Sequence, residues 1–167
     1  SSYQFPCSYI KGKFEKRLCI NIIEPNSKKI ISELTRKGFR RNYNHMYLPT
    51  CTGCNSCISS RINIKEFVPS KSNKRNIKNN NDLLLVKNKK YEEKRYNLFK
   101  EYCEKRHANG LMKKMTEKEF INFFHKSTNQ TQIFDLIDMK KNLYGSILLD
   151  VLDDGYSAVY SFCNPNL

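Results

Sequence analysis

The amino-acid sequence predicts an α+β fold in two parts, and three observations carry that expectation. The spacing of Tyr91, Arg95, Leu98, Phe99, Tyr102, Cys103 and Arg106 follows a helical period from Tyr91 to about Ala108. A capping-box match at Thr116 and Glu119 then opens a second helix. Three strand-like runs follow, the last two joined by the hairpin signal Asp153-Asp154-Gly155.

The chain opens with turn formers, Pro6 and Gly12, around Cys7, and Leu18 to Ile23 is strand-like. Ser27 is placed to cap a helix running to about Lys37, with Ile30, Ile31 and Leu34 on one face and Gly38 as the stop. A short strand is expected from Phe39 to Tyr47, ended by Pro49. Arg61 to Ile64 alternates polar and apolar residues, the pattern of a half-buried strand. Pro69-Ser70 starts a short basic helix that Asn79 to Asn81 breaks. Leu83 to Val86 reads as a buried strand, and the charged connector Lys87 to Lys90 as a module boundary. After the two helices, strands are expected at Gln132–Met139, Leu143–Leu152 and Tyr156–Cys163. In the last, Tyr156, Ala158, Tyr160 and Phe162 should share one face.

At 167 residues the chain fits one domain or a small module packed on a larger one, and ten Tyr and ten Phe supply an ordinary core. The net charge of +14 is unevenly placed. Residues 1–110 hold 24 Lys and Arg against 9 Asp and Glu, whereas residues 111–167 hold 6 against 7. A polyanion-docking face beside a less charged compartment accounts for this asymmetry; a Lys- and Asn-rich composition that only keeps the chain soluble is the alternative. No stretch has the length of a transmembrane helix, and neither a membrane span nor a signal peptide is expected. Seven cysteines, three of them crowded, read as reduced intracellular thiols, so a cytoplasmic location is expected.

Cys51, Cys54 and Cys57 stand at C-x2-C-x2-C spacing, close enough in sequence for two or three thiolates to share one metal. A fourth ligand must come from elsewhere; Cys7, in a turn, is the best candidate, with His45 behind it. Zn²⁺ and an iron–sulfur cluster suit such a thiolate set equally, and reduced thiols packed as small hydrophobes are the alternative. Ser70, Ser72 and the N–H groups of a helix start, with Lys71, Lys74 and Arg75, make a phosphate cradle that Arg40, Arg41 and Arg61 extend. His107 at a helix end is a candidate base near neutral pH, or simply a complement to the helix dipole; His125 has less to recommend it. Tyr160 and Ser161 are candidates to hydrogen-bond a substrate.

These residues fall into a known order. Pro6-Cys7-Ser8-Tyr9, Gly38-Phe39-Arg40-Arg41, Tyr47 with Pro49 and the three cysteines, and Arg61 stand in the first part. Phe67 to Arg75, Arg106-His107 with Gly110 and Met112, and Asp150 to Phe162 follow. In this order and spacing the chain resembles the bacterial aspartate/glutamate leucyltransferases, relatives of the eukaryotic arginyl-tRNA–protein transferases. The family usually shows Ser-Arg-Ser-Gln-Arg-Arg where this chain has Ser70-Lys71-Ser72-Asn73-Lys74-Arg75, a change that keeps the charge but loses bidentate guanidinium contacts.

The resemblance implies an acetyltransferase-like (GNAT) mixed sheet with helices in residues 89–167, C-terminally truncated, and a basic cysteine module in 1–88 packed on it. It supports Cys7 as the fourth thiolate. It implies an aminoacyltransferase that moves leucine, or arginine, from charged tRNA to the N-terminal amine of proteins beginning with Asp or Glu, marking them for degradation. The 167-residue chain alone is then expected to be inactive, and no cofactor is needed for the chemistry. A metal-stabilised RNA-binding module without catalysis is the other expectation that the residues allow.

Overall fold

A computed structural model describes residues 4–22, 27–88, 90–125 and 131–166. They divide into two compact units, Ser1–Arg61 with Leu152–Gly155, and Ile62–Val151 with Tyr156–Leu167.

The first unit holds two small antiparallel sheets. Strands β1 (Phe5–Pro6) and β2 (Phe14–Glu15) form a short ladder. Strand β3 (Arg17–Asn21) leads to helix α1 (Ser27–Arg36), and β4 (Arg40–Asn42) and β5 (His45–Pro49) complete a sheet of order β3-β5-β4. Gly38, at φ +89°, ends α1 as expected. The Phe39 N–H reaches back to the Leu34 carbonyl and the Gly38 N–H to that of Thr35, closing the helix in a Schellman motif. One strand was expected over Phe39 to Tyr47; the chain makes two, because Tyr43 takes a left-handed conformation (φ 51°) and folds the run into a hairpin. The core is small: Ile22, Ile31 and Met46, with Leu34, Phe39 and Leu152 packed against them. Ile30, expected on the same helix face, is exposed.

Helix α2 (Lys71–Asn79) opens the regular structure of the second unit, followed by β6 (Leu84–Lys87), α3 (Glu93–Arg106), a 3-10 turn (Leu111–Lys114) and α4 (Glu117–Phe124). Strands β7 (Thr131–Ile137), β8 (Leu143–Val151) and β9 (Tyr156–Cys163) join β6 in a sheet of order β6-β7-β8-β9. All its pairings are antiparallel, where a mixed sheet was expected. The capping box of α4 forms as written in the sequence: the Glu119 N–H donates to Thr116 Oγ1 and the Thr116 N–H to Glu119 Oε2. Helices α3 and α4 lay Phe99, Cys103, Phe120, Phe123 and Phe124 against Ile133, Leu148, Tyr160 and Phe162, and the Phe99 ring lies 5.0 Å from Phe120 and 5.6 Å from Phe162.

Three further expectations are corrected here. Residues 61–64 form no strand; Ile62 and Ile64 are 68% and 79% exposed. Asn63 instead makes a local turn, its side chain accepting from the Lys65 N–H and its carbonyl from the Glu66 N–H, which competes with any ladder. The 83–86 run is a strand but not a buried one, since among the described residues β6 lies at a sheet edge beside β7. Strands β6 and β7 both lie in the second unit. In β9 a bulge intervenes: Leu148 faces Tyr160 but Leu149 faces Ala158, so Val159 is the extra residue. Tyr160 and Phe162 therefore face the helices while Tyr156 and Ala158 turn to the opposite face.

Candidate functional site

Cys7, Cys51, Cys54 and Cys57 line one cavity of about 760 Å³ in the first unit, and Lys13, Lys16 and Arg40 line it too. Hydrogen bonds hold three of the thiols. The Ile10 N–H donates to Cys7 Sγ (3.4 Å), the Lys16 N–H to Cys51 Sγ (3.4 Å), and Cys54 Sγ lies 3.5 Å from Ser56 Oγ. The hydroxyl of Ser56, with its backbone and the charge of Lys13, outweighs the small cost of burial and lowers the Cys54 thiol below its ordinary value. The donor set is of the kind a soft metal takes, and the sulfurs share one cavity. Among the described residues, however, no three His, Cys, Asp or Glu side chains converge closely enough to hold one ion. His45, on β5, does not line this cavity; burial, then the Arg17 charge, lowers its imidazole.

The cations fall in different places. Arg40, on β4, lines the cavity. Arg41 is 8% exposed and donates through Nη1 to the Tyr43 carbonyl, supporting the β4–β5 turn. Arg61 Nη2 donates to the Arg36 carbonyl at the end of α1. Ser70, Lys71, Ser72, Lys74 and Arg75 are exposed at the start of α2, in the other unit. There Ser70 caps the helix by accepting from the Asn73 N–H, while Asn73 Oδ1 accepts from the Ser70 N–H. The Lys71 and Ser72 N–H groups are left without an intrahelical acceptor and point out with the helix dipole.

The catalytic candidates are likewise apart. His107 caps the C-terminus of α3, exposed, its ring edge-on to Tyr102. Tyr160 sits among Phe99, Phe123, Phe124 and Phe162, its hydroxyl 3.9 Å from Cys103 Sγ; burial, then Cys103, raises its phenol well above the ordinary value. Ser161 is exposed on the opposite face of β9.

Two features escaped sequence reasoning. Lys13 and Lys16, which flank β2 on either side, stand with Arg40 at the thiol cavity. Their only signal is the density of lysine over residues 11–16. The other is a buried ion pair: Arg95 and Asp135, with side chains 1% and 4% exposed, meet through two parallel bonds of 2.9 and 2.6 Å. Arg95 also donates to the Lys90 carbonyl, and Ser146 and Asn88 donate to Asp135. Burial alone would raise the Asp135 carboxyl, but these donors and the Arg95 charge hold it below its ordinary range. Arg95 falls on the helical stripe Arg95, Phe99, Cys103, which marked it as inward without naming its partner.

The family model described as "Arginine-tRNA-protein transferase, N terminus" matches residues 5–75, and its C-terminus counterpart matches residues 94–167. A protein of Ruegeria sp. (strain TM1040) called aspartate/glutamate leucyltransferase is 33% identical over 164 residues, 97% of this chain and 60% of that protein. Proteins of the same name from Azorhizobium caulinodans and Parvibaculum lavamentivorans are 34% and 32% identical, over 97% and 96% of this chain and 70% and 67% of their own length. The chain thus spans 60 to 70% of the length of these relatives. No helix among the described residues is long and apolar enough to cross a membrane.

Proposed function

The chain belongs to the arginine-tRNA-protein transferase family, and from that premise we propose that it serves an aminoacyltransferase that moves leucine from charged tRNA to the N-terminal amine of proteins beginning with Asp or Glu. The observation that carries this reading is the identity of about a third, sustained over nearly the whole chain, to relatives called aspartate/glutamate leucyltransferases. Leucine is favoured over arginine as donor by those names, and a role in marking proteins for degradation follows from the choice of an N-terminal acceptor. An aminoacyl-tRNA donor also favours a cytoplasmic site of action.

The reaction exchanges one acyl bond for another. The neutral α-amine attacks the ester carbonyl of leucyl-tRNA, a tetrahedral oxyanion forms, and the tRNA ribose hydroxyl leaves with the proton that the amine gives up. Positioning, a route for that proton and donors for the oxyanion are what the protein must supply. No cofactor is needed for these steps.

Helix α2 supports phosphate binding best. Lys71, Lys74, Arg75 and Lys78 lie within nine residues that carry no acid and bury none of their side chains. With the Ser70 and Ser72 hydroxyls they suit a polyanion that needs an open, convex partner. Arg61 is a further candidate contact; the burial of Arg41 favours a structural task. For the proton, the exposed His107 and Ser161 are the candidates to test, because the Tyr160 hydroxyl is enclosed by phenylalanines. The shared cavity of Cys7, Cys51, Cys54 and Cys57 supports a zinc ion or iron–sulfur cluster that braces the first unit once the thiols draw together. Helices α3 and α4 on one face of an antiparallel sheet are compatible with an acetyltransferase-like domain.

The deciding experiment incubates the intact protein with labelled leucyl-tRNA, or arginyl-tRNA, and peptides that start with Asp or Glu. Label is expected in the peptide from leucyl-tRNA. Intact, metal-supplied protein that labels no peptide from either tRNA refutes the transferase reading.

A further inference from the structure

The thiol cavity is also a place in the first unit where cations gather without a carboxylate to pair with, Lys13 acting only at longer range on the Cys54 thiol. Lys13, Lys16 and Arg40 line it, and among the described residues none of the three side chains makes an ion pair or a side-chain hydrogen bond. The carboxylate in the lining, Glu15, is already taken: Arg17 holds it through Nε and Nη2 and in turn stacks its guanidinium 4.4 Å from the Tyr47 ring centroid. Three like charges lining one cavity disfavour one another, and an anion entering the cavity relieves that repulsion.

The backbone that carries these cations is fixed before any ligand arrives. The Lys16 N–H is bonded to Cys51 Sγ, and its carbonyl accepts from the Thr50 N–H at 2.8 Å. The Lys13 carbonyl accepts from the Cys7 N–H at 2.8 Å, and Arg40 stands in β4 opposite Tyr47. Ligand binding therefore costs side-chain freedom but little backbone order.

Size and surroundings select the anion. With the thiols placed as they stand, a cavity of about 760 Å³ suits a ligand of one or two residues. It is too small for the rounded end of a nucleic-acid helix, for which the open face of α2 is the better partner. Tyr9, Ile10, Phe14 and Ile58 add apolar wall for an aliphatic stem and a second residue.

Resting on the reading of the chain as part of a transferase for acidic N termini, we propose that this cavity seats the acceptor's first side chain, its carboxylate meeting Lys13, Lys16 and Arg40. Selectivity then comes from the alternative: an Asn or Gln of the same shape would leave the cations clustered and unpaired, which disfavours it more than a missing contact would.

The test titrates the intact protein with peptide pairs differing only in Asp against Asn, or Glu against Gln, at the first position. Variants are compared at equal metal content per chain, and tRNA affinity is measured in parallel. The wild type should prefer the acidic peptide by about tenfold or more. Arg40→Gln and Lys16→Gln should each bring that preference to about threefold or less, raising KM for the Asp peptide more than they lower kcat. Lys13→Gln, at an exposed position, should weaken the preference in the same direction, and Arg40→Lys should restore part of it. Variants that still transfer and still discriminate as the wild type does would overturn the proposal. So would variants that keep the preference and lose tRNA affinity, which would make the cavity a phosphate site. A wild type that discriminates but transfers nothing sinks the transferase reading instead and leaves the cavity assignment standing.

Discussion

The two compact units are held together by different means. The second closes around a continuous aromatic core, in which Phe99 touches rings from α4 and β9, and it buries a bidentate ion pair beside that core. The first has, among its described residues, a core cluster of three buried hydrophobics, and it spends much of its chain on turns around a cavity lined with thiols and cations. A core that small supplies little burial energy, and small units of this kind usually need a metal or another cross-link. The unit that carries the clustered thiols is thus the one least able to stand by apolar burial alone.

Metal removal should break the comparison most widely. If the four cysteines bind an ion, stripping it with a chelator, or replacing Cys51 and Cys54 by serine, should unfold most of the first unit while the second stays intact, because binding energy there is folding energy. Elemental analysis and a visible spectrum of anaerobically purified protein identify the ion. Unchanged melting of Cys54→Ser at unchanged metal content would remove Cys54 from the ligand set.

The second unit should respond to the opposite treatment. Phe99→Ala empties the centre of the aromatic cluster and should cost about 3–5 kcal/mol in denaturant melts. Arg95→Met should cost a similar amount, about 3–5 kcal/mol, because it strands the Asp135 carboxylate in the interior. Arg95→Met with Asp135→Leu should recover much of that loss, as replacing both charges is nearly neutral. Acid gives an independent reading. The folded Asp135 carboxyl is held below its ordinary value, so its contribution is fully present above about pH 4 and fades as pH falls through the lower folded value. Asp135→Asn should flatten that part of the stability-versus-pH curve, and a curve identical to wild type below pH 4 would deny the pair its role.

The same division explains what the sequence made legible. Local signals survived: the Gly38 stop, the Thr116–Glu119 capping box and the Asp153-Asp154-Gly155 hairpin all act through neighbouring backbone and stand in the structure as expected. Patterns that depend on a distant partner did not. Residues 61–64 alternate like a strand but find no ladder, and Leu83 to Val86 is apolar enough for a central strand yet lies at an edge. One extra residue, Val159, was enough to reverse the faces of Tyr156 and Ala158 relative to Tyr160. In the candidate site, the cysteine spacing pointed to the cavity. Lys13 and Lys16 reach it through a fold of the chain that spacing does not encode.

The smallest effect sharpens the comparison where the second unit is least buried. Helix α2 has no buried residue, so its order rests on local bonds, chief among them the Ser70–Asn73 capping box. Ser70→Ala removes the acceptor for the Asn73 N–H and should cost the helix about 1 kcal/mol, within the range of 0.5–2 for such caps. Global melting should barely move, because the aromatic core does not depend on α2, but amide exchange over residues 71–79 should accelerate about fivefold, the equivalent of 1 kcal/mol. Asp at position 70 would keep the cap yet bring a negative charge to the proposed phosphate cradle. Comparing Ser70→Ala with Ser70→Asp therefore separates order from charge. If tRNA affinity follows helix order, alanine harms it more. If it follows phosphate contact at the helix start, aspartate does, and the deficit should shrink as salt screens the added charge.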